Sequence, residues 1–130
     1  MRLLLDTHIA IWAATDEVDL TVGERAALAS ADARVVSAVS IWETRLKWNS
    51  RHPSGLRKGV IGPDVLLAFV EAMGWSVLPL TARHAAASLD IPIDHRDPFD
   101  ELLLTQAQEE GLRLLTRDGS LQHHPLALFP

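Results

Sequence analysis

The sequence predicts an α/β/α sandwich in which helices cover both faces of a mostly parallel sheet of four or five strands. Short apolar runs alternate along the chain with segments of helical periodicity, which is the pattern of an α/β fold. The first run, residues 3–5, ends at Asp6 and is followed at once by a helical pattern. A continuous apolar run of this kind is typical of a buried parallel strand. Because ligands of open α/β sheets bind outside the C-terminal strand ends, Asp6 marks the edge where a site is expected.

The remaining elements follow from local signals in chain order. Thr21 and Glu24 form a capping box, Pro63 suits a first helical turn, and Gly111 closes the clearest helix. The predicted strands cover residues 2–6, 34–37, 75–78, 112–116 and, as an edge strand, 126–129. The predicted helices cover residues 8–14, 21–32, 40–48, 63–73, 81–89 and 98–110.

Composition limits the class of protein. The chain has 130 residues, enough for one domain over residues 1–130, and it has no cysteine. A disulfide framework and a thiolate zinc site are therefore excluded. No apolar stretch approaches the roughly 20 residues needed to span a membrane. Asp6 also interrupts the N-terminal apolar run, unlike in a secretion signal, so we expect a cytoplasmic protein with no membrane partner.

Charge is unevenly distributed along the chain. The net charge is −5, which argues against binding nucleic acid through bulk positive charge alone. Between Thr44 and Pro63, however, there is no acidic residue, and Trp48 lies among five basic ones. These are Arg45, Lys47, Arg51, Arg57 and Lys58. The stretch is suited to contact phosphates and stack a base, although a solvated helix face with one anchoring aromatic is the simpler interpretation.

Acidic residues recur where predicted strands end or predicted helices begin: Asp6, Glu43, Asp97, Asp100 and Asp118. Each has a structural explanation on its own, such as capping a helix or occupying a turn. Ser40 and Glu43, for example, have the spacing of a capping box. For any one of these acids alone, the structural explanation is favoured over a functional one, because short motifs often match by chance.

Considered together, the acids predict a shared crevice. In a parallel sheet, the strand C-termini and the helix N-termini that follow them lie along one edge. Like charges gathered there repel, so such a crevice takes up protons or a cation. Oxygen ligands without cysteine favour Mg²⁺, or Mn²⁺ in its place, over zinc. A cation so held can activate water and orient a phosphodiester for in-line attack.

Helical periodicity ranks the two competing aspartates. Asp100 shares a stripe with Leu103, Leu104 and Ala107, which is the side expected to face the sheet. Asp97 precedes the helix and is expected to bond backbone N–H groups, so it is the second choice. By the same argument Glu43 shares a side with Val39 and Leu46 and is expected to point inward.

Two other classes that gather acids at strand ends fit less well. A receiver-like phosphoacceptor domain requires adjacent acids after the first strand and a lysine near the last one. Here Thr7 and His8 follow Asp6, and Arg117 stands next to Asp118. A phosphohydrolase with an aspartyl nucleophile requires a second aspartate at position 8. A non-catalytic RNA-binding or partner-binding domain, with the acids in structural roles, remains the main alternative.

Four phrases of the sequence resemble the PIN-domain ribonucleases, and most closely the VapC-type toxins of bacterial toxin–antitoxin pairs. They are LLLDTHIAIW, SAVSIWE, HRDPFDELLLTQAQEEG and LLTRD, in the order and spacing of that family. The resemblance implies a PIN-domain-like sandwich, a Mg²⁺- or Mn²⁺-dependent endoribonuclease with an RNA substrate, a homodimer, and a small VapB-type antitoxin as inhibitor.

The resemblance also implies roles for individual residues. The family's catalytic and metal-binding quartet falls on Asp6, Glu43, Asp100 and Asp118, with Asp97 as second choice to Asp100. It places the basic span near the substrate groove and the antitoxin contact. Three tryptophans in apolar segments are expected in the core or a dimer interface: Trp12, Trp42 and Trp75. Nothing in the family pattern makes His8 or His95 catalytic.

Overall fold

The computed structural model describes residues 1–94 and 96–130, and within these ranges five parallel strands form one sheet. Their order is β3-β2-β1-β4-β5. The strands are β1 (Arg2–Leu5), β2 (Ala33–Ser37), β3 (Ser76–Leu78), β4 (Arg113–Leu115) and β5 (Ala127–Leu128). The predicted α/β class and strand count are confirmed, and every strand pair is parallel. His95, for which the sequence predicts no catalytic role, lies outside the described residues.

Helices connect the strands and cover both faces of the sheet. They are α1 (Thr7–Ala14), α2 (Val22–Ser30), α3 (Ala38–Asn49), α4 (Pro63–Ala72), α5 (Ala82–Ala86) and α6 (Pro98–Glu110), and a short 3₁₀ helix follows at Gly119–Leu121. The predicted end signals are present. Thr21 and Glu24 form the capping box of α2, and Gly111 ends α6 in the left-handed conformation with a φ of 67°.

Successive side chains of β1 point into two separate apolar cores. Leu3 and Leu5 pack in a core that includes residues of α1, α2 and α4, whereas Leu4 packs in one that includes residues of α6. Leu4 and Leu5 are fully buried. This alternation is the period of two expected of a strand covered on both faces. The sheet is therefore the middle layer of three.

The strand order reverses beside β1, and this fixes where a ligand can bind. The chain runs outward from β1 through β2 to β3, and then returns to place β4 on the other side of β1. At such a switch point the connections leave in opposite directions and open a crevice at the C-terminal strand ends. Asp6 follows β1 directly, and the segment 116–118 follows β4. The topology thus brings the first and the last acidic segments together.

Two predicted helix boundaries were wrong. Helix α3 begins at Ala38, because Ser37 ends β2 and also caps the helix by accepting from the Val39 N–H at 3.0 Å. Ser40 therefore lies inside the helix and forms no capping box with Glu43. Helix α5 ends at Ala86, well before Leu89.

The reason for the early end of α5 is a side chain of α6. The Gln108 side chain donates to the Ser88 carbonyl at 3.0 Å and accepts from the Asp90 N–H at 2.8 Å. These two bonds hold residues 88–90 to the helix surface and replace the hydrogen bonds of a further helical turn.

Within the described ranges, no helix is both long and apolar enough to cross a bilayer.

Candidate active site

Asp6 and the segment after β4 are joined by a hydrogen bond at the switch point. The buried Thr116 hydroxyl donates to Asp6 Oδ2 at 2.6 Å, and its oxygen accepts from the Asp118 N–H at 3.0 Å. Asp6 occupies the N-cap position of α1, but its side chain makes no capping hydrogen bond. Burial raises the pKa of Asp6, and this outweighs the lowering effect of the Thr116 bond. The structural role considered for Asp6, helix capping, is therefore not the one its carboxylate has.

Glu43 reaches the crevice from the second turn of α3 and is held there by α1. The Thr7 hydroxyl donates to Glu43 Oε1 at 2.6 Å, and the hydroxyls of Thr7 and Ser40 are 2.9 Å apart. Glu43 is half-buried, and burial raises its pKa. The predicted inward stripe holds for Val39, which is buried, but not for Leu46, which is exposed. Tertiary contacts rather than helical periodicity fix the direction of Glu43.

Asp100 lies at the centre of the acidic cluster. It sits in the first turn of α6, it is 7% exposed, and its pKa is raised to about 8. Burial is the largest cause, followed by repulsion from four other carboxylates: Asp6, Asp97, Asp118 and Glu43. The structure thus brings all five predicted acids close enough to affect one group. An acid in this setting holds a proton at neutral pH unless a cation replaces it.

The predicted distinction between Asp97 and Asp100 matches the geometry. Asp97 is exposed and caps α6, because its Oδ1 accepts from the Phe99 N–H at 2.9 Å and from the Asp100 N–H at 3.4 Å. Asp100 is turned toward the sheet with the buried leucines of α6. Asp118 is exposed and caps the 3₁₀ helix through Ser120. Which of these acids ligate an ion stays a prediction.

The carboxylates of the crevice fit the predicted Mg²⁺ or Mn²⁺ better than they fit zinc. Within residues 1–94 and 96–130, no three acidic or histidine side chains are placed to hold one ion jointly. Mg²⁺ usually takes one or two protein carboxylates and keeps several waters, so this spacing is compatible with it. The clustered oxygens, and a buried acid whose ionisation is opposed by its neighbours, also fit a divalent cation. By contrast, a closed tetrahedral zinc site would require more convergent ligands.

A salt bridge behind the crevice positions the segment that carries Asp118. The Arg117 side chain donates to both carboxylate oxygens of Glu24, with Nε 2.8 Å from Oε2, and also to the Asp19 carbonyl at 3.0 Å. Its guanidinium lies 4.3 Å from the centre of the Trp12 ring. The Arg117 bonds lower the pKa of the buried Glu24 carboxyl. The capping box of α2 and the end of β4 are thereby fastened to each other.

Sequence reasoning did not select the other side chains that line the crevice. His8 and Trp12 stack with ring centres 5.6 Å apart, and both line the pocket formed with Asp6, Arg117 and Asp118. Their i, i+4 spacing on the helix that follows Asp6 is the signal that could have found them.

Trp75 packs on Phe69 as expected of a core residue. Trp42, in contrast, is 51% exposed, so it does not lie in the core, and the other predicted place, a dimer interface, stays a prediction.

Comparison with known proteins adds a family to this geometry. The family model described as PIN domain matches residues 3–125. The chain belongs to the PIN-domain family. Ribonuclease VapC22 of Mycobacterium tuberculosis (strain ATCC 25618 / H37Rv) is 30% identical over 125 residues, which cover 94% of this chain and 91% of the relative. The predicted resemblance to the VapC type is confirmed.

Solved structures agree on the fold of this PIN domain. The structure of VapBC2 from Rickettsia felis bound to a DNA fragment from its promoter matches with a TM-score of 0.62 at 12% identity, over 100% of this chain and 98% of that one. A toxin–antitoxin complex from Klebsiella pneumoniae matches with a TM-score of 0.62 at 17% identity, over 98% and 97%. At these identities the likeness extends to the architecture alone.

Replacing Thr116 by valine tests the role of the hydrogen bond at the switch point. Valine keeps the shape but removes the donor to Asp6 and the acceptor for the Asp118 N–H. We expect divalent-cation affinity to fall about 10- to 100-fold, as when the groups that orient metal ligands are removed. Isothermal titration with Mn²⁺ measures this. Thr105→Val, whose hydroxyl bonds only within α6, is the control and should keep the wild-type affinity.

Proposed function

We propose that this PIN domain is a Mg²⁺- or Mn²⁺-dependent endoribonuclease and the toxin of a VapBC-type toxin–antitoxin pair. The observation that carries the proposal is the position of Asp100, buried among four carboxylates at the switch point of the sheet. Family membership and the similarity to a ribonuclease of the VapC type support RNA as the substrate.

The chain's own residues would hold the ion and orient the substrate. Asp6 and Asp100 are the buried carboxylates and the first candidates for direct ligands. Glu43 and Asp118 complete the acidic quartet from α3 and from the segment after β4. Thr7 and Thr116 fix the orientation of Glu43 and Asp6, so little reorganisation is needed when an ion binds. When bound, the ion supplies an activated water and stabilises charge on the phosphate oxygens.

The acidic crevice also supports a proposal about the partner. Two of the structures with this fold are described as VapBC2 and as a toxin–antitoxin complex, so a small VapB-type antitoxin is the expected inhibitor. Carboxylates that are costly to ionise together would accept an arginine or lysine from such an inhibitor, as they would accept a cation. A peptide of the antitoxin that has lost all its basic residues should therefore inhibit less. Equal inhibition would contradict this mode of binding.

The expected assembly is a homodimer. Sedimentation velocity over a range of protein concentrations tests it separately from activity, and a species of monomer mass at all concentrations would contradict it.

The deciding experiment compares wild type with Asp6→Asn on a pool of transfer and ribosomal RNA fragments. Both proteins are assayed with Mg²⁺, with Mn²⁺ and with EDTA, after circular dichroism has verified equal folding. We expect discrete cuts that require the metal and disappear in the variant. Glu71→Gln, which removes one exposed negative charge on α4, is the control and should cleave as wild type does.

The same experiment addresses the non-catalytic alternative. A domain that only binds RNA or a partner would give equal background in every lane, and Asp6→Asn would not change it. Calorimetric titration with Mn²⁺ then separates the remaining cases, because a purely structural set of carboxylates should take up no ion. Absence of both cleavage and metal binding would overturn the proposed function.

A further inference from the structure

A second pocket adjoins the carboxylate crevice and shares a wall with it. The part of the crevice at Asp6 and Asp118 forms a pocket of about 290 Å³, and the second pocket has a volume of about 240 Å³. His8 and Trp12 line both of them. The second pocket lies between α1, α3 and residues 58–61. A chain that crosses the carboxylates can therefore place its next unit in this pocket.

The pocket has apolar walls and is lined by two lysines and one exposed carboxylate, that of Glu17. Ile11 and Ile61 are buried beneath it, and Val18 and Trp12 form its sides. Lys47 and Lys58 are exposed where they line it, and Lys47 Nζ is 3.4 Å from His8 Nε2. Flat bases bind to apolar and aromatic surfaces, while lysine ammonium groups contact phosphates. This combination matches one nucleotide of a single strand.

Four of the five basic residues of the stretch, all but Arg45, form two groups in the structure. Arg51 donates to the Gly55 carbonyl at 2.9 Å, and Arg57 donates to the Trp48 carbonyl at 2.8 Å and covers the Trp48 ring at 4.3 Å. These arginines fasten their own loop, and Trp48 has the anchoring role that was the simpler interpretation. Lys47 and Lys58 are the basic residues of the stretch that line the pocket.

We propose that this pocket is a nucleotide subsite, which holds the base next to the cleaved bond while Lys47 and Lys58 contact the flanking phosphates. Pockets for drug-sized ligands have volumes of about 300–1,000 Å³. This pocket is smaller, so it fits one base better than a peptide helix. The shared wall and the two cations favour RNA over an apolar protein segment. The proposal rests on the proposed function, because the carboxylates define which bond is cut.

The test measures binding of fluorescein-labelled short oligoribonucleotides by fluorescence anisotropy in the Asp6→Asn background, which prevents cleavage. The matched probe is the same ribose–phosphate chain without bases. Val18→Trp and Val60→Trp each fill the pocket from a partly exposed loop position, so that one can replace the other if it folds poorly. Lys47→Ala removes a phosphate contact. Arg83→Ala on α5, which lines neither pocket, is the control.

The two kinds of variant should affect the probes differently. Val18→Trp and Val60→Trp should weaken binding of the base-bearing probe about tenfold and leave the abasic probe unchanged, because only the base enters the pocket. Lys47→Ala should weaken both probes and reduce the slope of log affinity against log salt concentration by about 0.7. Arg83→Ala should match the parent protein.

The outcomes separate this inference from the proposed function. If both tryptophan variants bind the base-bearing probe as the parent does, the subsite is overturned and the pocket is left to a protein partner, whether or not wild type cleaves RNA. If wild type cleaves nothing but filling the pocket still weakens base-dependent binding, the nuclease function fails, and the pocket is a base-binding site with no cleaved bond beside it.

Discussion

Replacing Asp100 by asparagine is expected to abolish RNA cleavage and to make the metal-free protein more stable at alkaline pH. The other four carboxylates of the cluster lie close enough to Asp100 to raise its pKa. Asparagine has nearly the same shape as aspartate without the charge. Loss of one group that stabilises charge in a transition state typically lowers the rate about 100- to 1,000-fold, so we expect at least that decrease. Single-turnover cleavage with Mg²⁺ measures it.

The effect of Asp100→Asn on stability has a defined sign. In the folded protein the pKa of Asp100 is about 8, whereas its ordinary value is 3.8. Between these values the folded state holds a proton that the unfolded chain has released, so raising the pH lowers the free energy of unfolding. Asparagine cannot ionise, and most of this decrease should disappear. A smaller slope should remain because burial also raises the pKa of Asp6 and Glu43.

Thermal unfolding in EDTA from pH 6 to about 9 tests this, since stability in wild type should decrease toward the pKa of about 8. Adding Mg²⁺ should reverse the trend, because the ion binds the ionised carboxylates and stabilises the folded state.

Asp97→Asn is the control, because asparagine still caps α6. If Asp97→Asn rather than Asp100→Asn removes cleavage, then Asp97 is the essential acid. A metal-free wild type that gains stability between pH 6 and 8 would contradict the raised pKa of Asp100.

Replacing Glu24 by glutamine is expected to destabilise the fold and weaken catalysis, although Glu24 lies outside the acidic cluster. Its side chain is 2% exposed and accepts a hydrogen bond from Arg117 on each carboxylate oxygen. Removing one member of a buried ion pair costs about 3–5 kcal/mol. Because the Arg117 side chain is 30% exposed and keeps some hydration, we expect about 2–3 kcal/mol. Urea unfolding at pH 7 measures the loss.

Replacing Glu24 should also affect the acidic site, because its partner Arg117 lies between Thr116 and Asp118 in the chain. With the salt bridge weakened, the segment that carries Asp118 and the ring of Trp12 lose a fixed support. We expect a decrease in cleavage rate that exceeds the fraction of unfolded protein. The low pKa of Glu24 means that its contribution to stability is present at neutral pH and lost as the pH falls through that pKa. Glu71→Gln serves as the control, and an equal stability for the two variants would contradict the role of the salt bridge.

The sequence alone predicted the elements of the sheet and the acids at its edge. Apolar runs, caps and breakers are local signals, so the five strands and the helix from Pro98 could be placed without tertiary information. The choice of Asp100 over Asp97 as the inward residue also followed from local periodicity. The family resemblance added the activity, metal and partner that the site is proposed to have.

Only the tertiary structure decided how the side chains of the site are held and which neighbours they meet. The bond from Thr116 to Asp6 joins residues 110 positions apart, and the bond from Thr7 to Glu43 joins residues 36 apart. The early end of α5 depends on Gln108, and Lys47 and Lys58 meet His8 and Trp12 only in space. No local pattern carries this information, because side-chain direction within the site is set by contacts between elements that the sheet topology brings together.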